Sequence, residues 1–135
     1  MAIFLTEEWL RTFEEKLNTD PQYADIAKNW EGDVVMTVNP GENLEQQVVM
    51  YFDLWHGKCR EATVITDENE KSPKYRIFGP FTNMKQILDK KVDPVQSMMT
   101  GKIKVKGDMA QIMKMPRAAV ELVNCMTAFE TVFPD

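Results

Sequence analysis

The chain is poor in the residues on which catalysis and metal binding usually rest. Its 135 residues include one histidine, His56, and two cysteines, Cys59 and Cys125. That set is one ligand short of a four-ligand zinc site built from Cys and His. Two cysteines could close one disulfide. The first residues, Met1-Ala2-Ile3-Phe4-Leu5-Thr6-Glu7-Glu8, however, lack the basic start and apolar stretch of an export signal. The expectation is therefore two reduced thiols and a cytosolic protein. Long apolar runs are missing too: stretches such as Val48–Phe52 fall far short of the ~20 residues a spanning helix needs. There is no GxGxxG, P-loop, GxSxG or HExxH pattern, so each large cofactor-dependent class loses its usual signature and no cofactor is expected.

Basic charge is also scarce overall. The net charge is −5, which argues against a general nucleic-acid binder, whose affinity comes from neutralising phosphates. The imbalance is uneven along the chain. Residues 1–50 carry ten acidic and three basic side chains, whereas residues 85–117 carry eight basic and three acidic ones. A basic region of that kind can steer a protein toward an anionic surface. What is present in normal amount, 44% apolar and 27% charged residues, describes one ordinary globular domain over residues 1–135.

Periodicity divides the chain into helical ends and a stranded middle. Thr6 caps a first helix over about 7–18, with Trp9, Leu10, Phe13 and Leu17 at helical spacing. Asp20-Pro21 restarts a second helix, ending at Gly32, so residues 1–30 form an N-terminal helical section. Strands follow at Asp33–Val38, Glu45–His56, Cys59–Thr66 and Lys74–Phe78, and a meander of antiparallel strands is expected. Gly57-Lys58 suits a type II′ hairpin loop, which would place His56 and Cys59 opposite each other. Thr82 or Asn83 then caps a helix with Met84, Ile87 and Leu88, and Pro94 starts a turn with Val95, Met98 and Met99. The alternation Lys102-Ile103-Lys104-Val105-Lys106 is a further strand. A long C-terminal helix is expected over 108–131, kinked or restarted at Pro116, with Met109, Ile112, Met113, Val123, Met126 and Phe129 on its stripe.

Three groups of residues compete for a role. His56 beside Cys59 would form a thiolate couple, but with no evident third partner or oxyanion donor. Lys102, Lys104 and Lys106 read as a solvated strand face that discourages edge pairing, or as a transient contact with acidic lipid head groups. Ten methionines, five of them between Met98 and Met115, fit a deformable core or an apolar binding site equally in kind. Periodicity alone favours the core.

The order of features over Tyr75–Met115 resembles the sterol-carrier-protein family, the small domain named after non-specific lipid-transfer protein. The residues that carry it are Tyr75-Arg76-Ile77-Phe78, Met84–Leu88, Val95–Thr100, Gly101-Lys102-Ile103-Lys104-Val105, Gly107-Asp108-Met109 and Lys114. The hairpin Val48–Thr66 extends the likeness over some 85 residues. With a helical C-terminus and no Ser-Lys-Leu address, the chain is most similar to microbial stand-alone members.

The resemblance implies an α+β fold: a mostly antiparallel, five-stranded twisted sheet with helices on one face and an apolar tunnel between them. It implies non-catalytic binding or carriage of a fatty acyl chain, a sterol or a similar apolar ligand. The implied lining is Phe52, Leu54, Met84, Ile87, Leu88, Met98, Met99, Ile103, Val105, Met109, Ile112 and Met113, with Val123, Met126 and Phe129 as a lid or as a plug in the mouth. A second reading is an accessory module for a lipid- or quinone-modifying enzyme, with Trp9, Trp30 and Trp55 as interface anchors. An enzyme using Cys59 and His56 is the third.

Overall fold

The computed structural model describes residues 2–3, 6–41, 44, 46–67, 69–129 and 131–132. After a two-residue strand β1 (Ala2–Ile3), helix α1 (Glu7–Thr19) begins where the Thr6 hydroxyl accepts from the Trp9 backbone N–H at 3.3 Å. Its buried stripe is the expected Trp9, Leu10, Phe13 and Leu17. Helix α2 (Pro21–Ile26) starts from an Asp20 cap. It stops six residues before Gly32, the expected end, and a turn carries the chain on to Trp30.

The sheet holds β2 (Val34–Asn39), β3 (Val48–Trp55), β4 (Lys58–Ile65), β5 (Tyr75–Pro80) and β6 (Lys104–Lys106), in the order β4-β3-β2-β5-β6. The α+β sheet of five mostly antiparallel strands is present, but not as a pure meander. After β2-β3-β4, the chain crosses back and lays β5 parallel to β2. The charged connection between β4 and β5 is long enough for this crossing, and Lys71 within it is held on the sheet's outer face. There Lys71 Nζ stands 4.8 Å over the Tyr51 ring, and Arg76 Nη2 donates to the Lys71 carbonyl at 3.2 Å. The hairpin turn also lies one residue earlier than expected. His56 and Gly57 form it with φ of 50° and 80°, a type I′ pattern, so Trp55 pairs with Lys58 and Leu54 with Cys59. The left-handed His56 is held by Glu31 Oε2, 2.6 Å from its Nε2.

Period-two alternation sends β3 residues to two faces. Met50, Phe52 and Leu54 meet the helices in the main core, while Val49 and Tyr51 join Val35 and Ile65 in a small cluster on the other face. Helix α1 also screens the free edge of β4. Glu7 accepts from the Val64 N–H at 2.9 Å, and the Asn18 amide exchanges two hydrogen bonds with the Cys59 backbone at 2.8 and 2.9 Å. Glu7 and Asn18 are about 16 Å apart along a helix, matching the rise of the strand from Cys59 to Val64.

Helix α3 (Phe81–Leu88) follows directly on Pro80 rather than on a Thr82 or Asn83 cap; the Asn83 amide instead donates to the Lys102 carbonyl at 2.9 Å. Helix α4 (Pro94–Met99) is capped by Asp93. The strand expected from Lys102 contains only Lys104–Lys106, because the Ile103 N–H is drawn to the Ser97 carbonyl at 3.1 Å. The helix expected over 108–131, kinked or restarted at Pro116, restarts there as two, α5 (Met109–Lys114) and α6 (Pro116–Met126), since Pro116 has no N–H to continue the ladder. Beyond Thr127 the chain leaves the helix, so Phe129 is not on it, and β7 (Thr131–Val132) pairs in parallel with β1.

Candidate apolar binding site

Sheet register builds the floor of the site. Met36 on β2 lies opposite Met50 on β3 and Ile77 on β5, so three apolar side chains stand in a row beneath the helices. Above them, Met84, Ile87 and Leu88 come from α3, Pro94 and Met98 from α4, and Ala119, Leu122, Val123 and Met126 from α6. Trp9, Val38 and Ile103 close the sides around a cavity of about 100 Å³. These fifteen lining residues include no charged, hydroxyl or amide side chain. Five of the ten methionines belong to them, where an unbranched, polarisable side chain can yield to an incoming shape.

The expected tunnel resolves into two neighbouring cavities. The second, about 50 Å³, is lined by Tyr23, Trp30, Val34, Leu54, Tyr75, Ile112, Met115 and Ala118, together with Ile77, Met98, Ala119 and Leu122, which also face the first. Those four side chains form the partition. Five of the residues expected as lining, Met84, Ile87, Leu88, Met98 and Ile103, face the larger cavity, together with Val123 and Met126, expected as a lid or plug, and Leu54 and Ile112 face the smaller.

The other expected lining residues are placed elsewhere. Phe52 is packed edge-on against Phe13, centroids 5.7 Å apart, and is spent on the core. Val105 and Met109 pack against the core rather than along either cavity, and Phe129 lies 5.8 Å from the Trp9 ring. Met99 and Met113 are on the surface, 64% and 44% exposed, because their short helices turn the opposite face inward. Sequence reasoning missed Trp9, Met36, Met50, Ile77, Ala119 and Leu122. The alternation of β2 and the α6 stripe signalled inward faces, but only the register shows that these residues meet.

The other candidate sites do not assemble. The Cys59 thiol is buried, donates to the Glu61 carbonyl at 3.3 Å, and is pushed up to about 12 chiefly by loss of solvation. His56 is committed to Glu31, so no activated couple forms. Of the three tryptophans, Trp9 and Trp30 are buried and only Trp55, 39% exposed, reaches the surface. Lys104 and Lys106 alternate with Val105 and stand exposed on the edge strand. Lys106 shares a groove with Thr37 and Phe78 on the sheet face away from the cavities.

A carboxyl pair ties α6, one wall of the cavity, to the start of α2. Acceptor atoms of Asp20 and Glu121 and the Cys125 sulfur lie within 4.8 Å of one another, and Cys125 Sγ donates to Asp20 Oδ2 at 3.2 Å. The two carboxyls share a hydrogen bond, which lowers Asp20 and raises Glu121 from their ordinary values of 3.8 and 4.5. The raised Glu121 stabilises the fold below its unfolded value, and that contribution is lost as pH rises through the folded value. The lowered Asp20 contributes above 3.8, and its share is lost as pH falls through the folded value. The pair therefore favours the fold most in the mildly acidic window between the two. Glu121→Gln keeps a donor toward Asp20 at every pH. At pH 7 the variant is expected to be more stable than the parent by about 0.5–1 kcal/mol, with the gain shrinking toward pH 4. Urea unfolding at the two pH values measures it; an equal gain at both would remove the shared proton as the cause.

The SCP-2 sterol transfer family profile matches residues 10–119, most of the chain, including the sheet floor of the cavity and its α3 and α4 wall. The chain belongs to this family. A crystal structure of sterol carrier protein 2 superposes with a TM-score of 0.83 at 28% identity, covering 94% of this chain and 99% of that one. A conserved protein of Thermus thermophilus, solved in solution, gives 0.84 at 27% identity, covering 98% and 93%. The UbiJ-SCP2 ubiquinone synthesis protein shares the fold, with a TM-score of 0.51 at 16% identity over 86% of each chain. No curated protein sequence matches the chain. Lipid binding or transfer is the general role of this family, whose members are generally carriers rather than enzymes. No helix among the described residues is long and apolar enough to cross a membrane.

Proposed function

We propose that this SCP-2 family member binds and carries a lipid-like ligand with a hydrocarbon chain, without catalysis, in the cytosol. The observation that carries the reading is the wholly apolar lining of the larger cavity. Transfer of each CH₂ from water into such a lining is worth about 0.8 kcal/mol, so a chain of ordinary length is held reversibly. The two cavities, about 100 and 50 Å³, have room for only a few methylenes, so such a chain enters only when the partition of Ile77, Met98, Ala119 and Leu122 yields and the methionine walls move outward. Recovery of a co-purified lipid by native mass spectrometry, and displacement of a fluorescent fatty acid, test the reading; an empty protein that displaces nothing would count against it.

A variant separates the cavity from the rest of the surface. Ala119 on α6 faces both cavities. Ala119→Phe fills the partition, and fatty-acid affinity is expected to fall at least about tenfold while cooperative unfolding is retained. Unchanged affinity in a folded variant would place the ligand elsewhere.

Transient contact of Lys102, Lys104 and Lys106 with acidic lipid head groups is a further part of the proposal. It is supported by the exposure of Lys104 and Lys106 on an edge strand with no second neighbour. Co-sedimentation with vesicles containing anionic phospholipid, weakened in the K102Q/K104Q/K106Q protein, is the expected result; equal binding by both proteins would remove this part.

A further inference from the structure

The larger cavity shares part of its wall with a surface groove. Three of its wall residues, Ile87, Pro94 and Val123, also line an outer groove of about 320 Å³ between the α3–α4 connection and α6. Lys90 and Lys91 stand on the rim of that groove, with Val120 and Asn124 of α6 across from them. Neither ammonium makes a hydrogen bond, a close ion pair or a ring contact among the described residues, and Lys90 acts on Glu121 only through its charge, which lowers that carboxyl's proton affinity. The nearby acids are engaged in part: Glu121 with Asp20 and with the Asn124 amide at 3.0 Å, and Asp93 with the Gln96 N–H at 2.9 Å. Asp89 closes α3 one residue before Lys90.

The backbone at the rim adds an independent observation. Helix α3 ends in a Schellman motif, with the Lys91 N–H donating to the Gln86 carbonyl and the Lys90 N–H to the Ile87 carbonyl, both at 3.0 Å. The residue after the cap is then left-handed, and Lys90 has φ of 59°. Glycine takes this place without strain and lysine does not. The only other described non-glycine residue with positive φ, His56, is held in place by Glu31. Lys90 has no such hydrogen-bonded partner among the described residues, and strain of this kind tends to collect at ligand sites.

We propose that this groove is the mouth of the cavity, and that Lys90 and Lys91 hold the anionic head, carboxylate or phosphate, of a single-chain amphiphile whose hydrocarbon tail lies among the methionines. The inference deepens the lipid-binding reading and rests on it. A fully apolar lining can fix a chain but cannot orient one. The exposed ammonium groups at the way in supply charge-assisted contacts for one end only.

The test compares dodecanoate, methyl dodecanoate and dodecyl phosphate, titrated calorimetrically into the whole protein at about 0.1 M salt. The acid and the phosphate are expected to bind roughly tenfold tighter than the ester. The double variant K90G/K91Q is expected to bind all three equally, at the affinity the parent shows for the ester. Lys90→Gly by itself is expected to raise Tm, since glycine relieves the left-handed strain, so lost discrimination would not reflect a lost fold. Inorganic phosphate at the same concentrations is expected to displace none of the three; displacement by it would assign the lysines to a free anion and overturn the proposal. Equal binding of acid and ester by the parent would overturn this inference and leave lipid binding intact. Failure of every chain compound to bind would overturn both.

Discussion

Phe13→Ala is expected to remove about 3–5 kcal/mol of folding stability, the range for deleting a fully enclosed aromatic ring. Phe13 has no exposed surface. Its ring stacks on Trp9 with centroids 5.7 Å apart and meets the edge of Phe52 at the same distance. It thereby fastens α1 to the middle of β3, and the neighbouring Trp9 is itself a wall of the larger cavity. A domain of this size has a total stability of about 5–15 kcal/mol, so the variant stands near the limit of folding. Thermal and urea unfolding should show the loss with the slope of the urea transition unchanged. A loss below about 1 kcal/mol would mean that the surrounding rings collapse into the gap, and that α1 is not anchored through this residue.

The second large effect lies at the hairpin. Gly57→Ala is expected to cost about 2–4 kcal/mol, combining the left-handed penalty for a residue with a Cβ with a backbone clash. Gly57 has φ of 80°, and a Cβ there would fall 2.7 Å from the Ala24 carbonyl oxygen and 2.9 Å from the Ala24 Cα. Both atoms belong to the backbone of α2, so relief requires moving the hairpin or the helix. Gly101 supplies the comparison: its φ is 83°, but nothing lies within 4 Å of the corresponding Cβ position. Gly101→Ala should cost only the conformational part, about 1–2 kcal/mol. Equal losses in the two variants, measured by urea unfolding, would show that the contact between α2 and the turn contributes nothing.

The placement of these two residues shows which parts of the molecule were open to sequence reasoning. Thr6 and Asp20 announced helix starts, and the inward stripe of α1 was correct residue by residue, because caps and helical spacing are local properties. The turn at His56-Gly57 was misplaced by one position. A glycine signals a positive φ, but the second left-handed residue is a histidine, stabilised by Glu31 from 25 positions away. The parallel pairing of β5 with β2 was not legible either. Strand pattern carries no direction, so the pairing of β5 with β2 rather than β4 shows only in the sheet itself.

The site divides along the same line. Met84, Ile87, Leu88 and Met98, expected as lining from the family likeness and a helical stripe, face the larger cavity, and so do Val123 and Met126, expected as a lid or plug. Met36, Met50 and Ile77 were missed as a group because they meet only through the β3-β2-β5 register. Met99 and Met113 were placed inward by the resemblance, yet helices of six residues each bury one narrow side.

By itself, then, the sequence determined that the chain folds as an α+β domain with a methionine-rich interior, that it carries none of the usual catalytic signatures, and, through the order of motifs over Tyr75–Met115, to which family it belongs. Tertiary structure alone decided whether those methionines fill the interior or line a space. A side chain's direction follows from the backbone around it, so patterns can be read locally. A cavity is the difference between the volume that distant elements enclose and the volume their side chains occupy. Here β2, β3, β5, α3, α4 and α6 enclose slightly more than their side chains fill, and the remainder is the apolar space on which the proposed function rests.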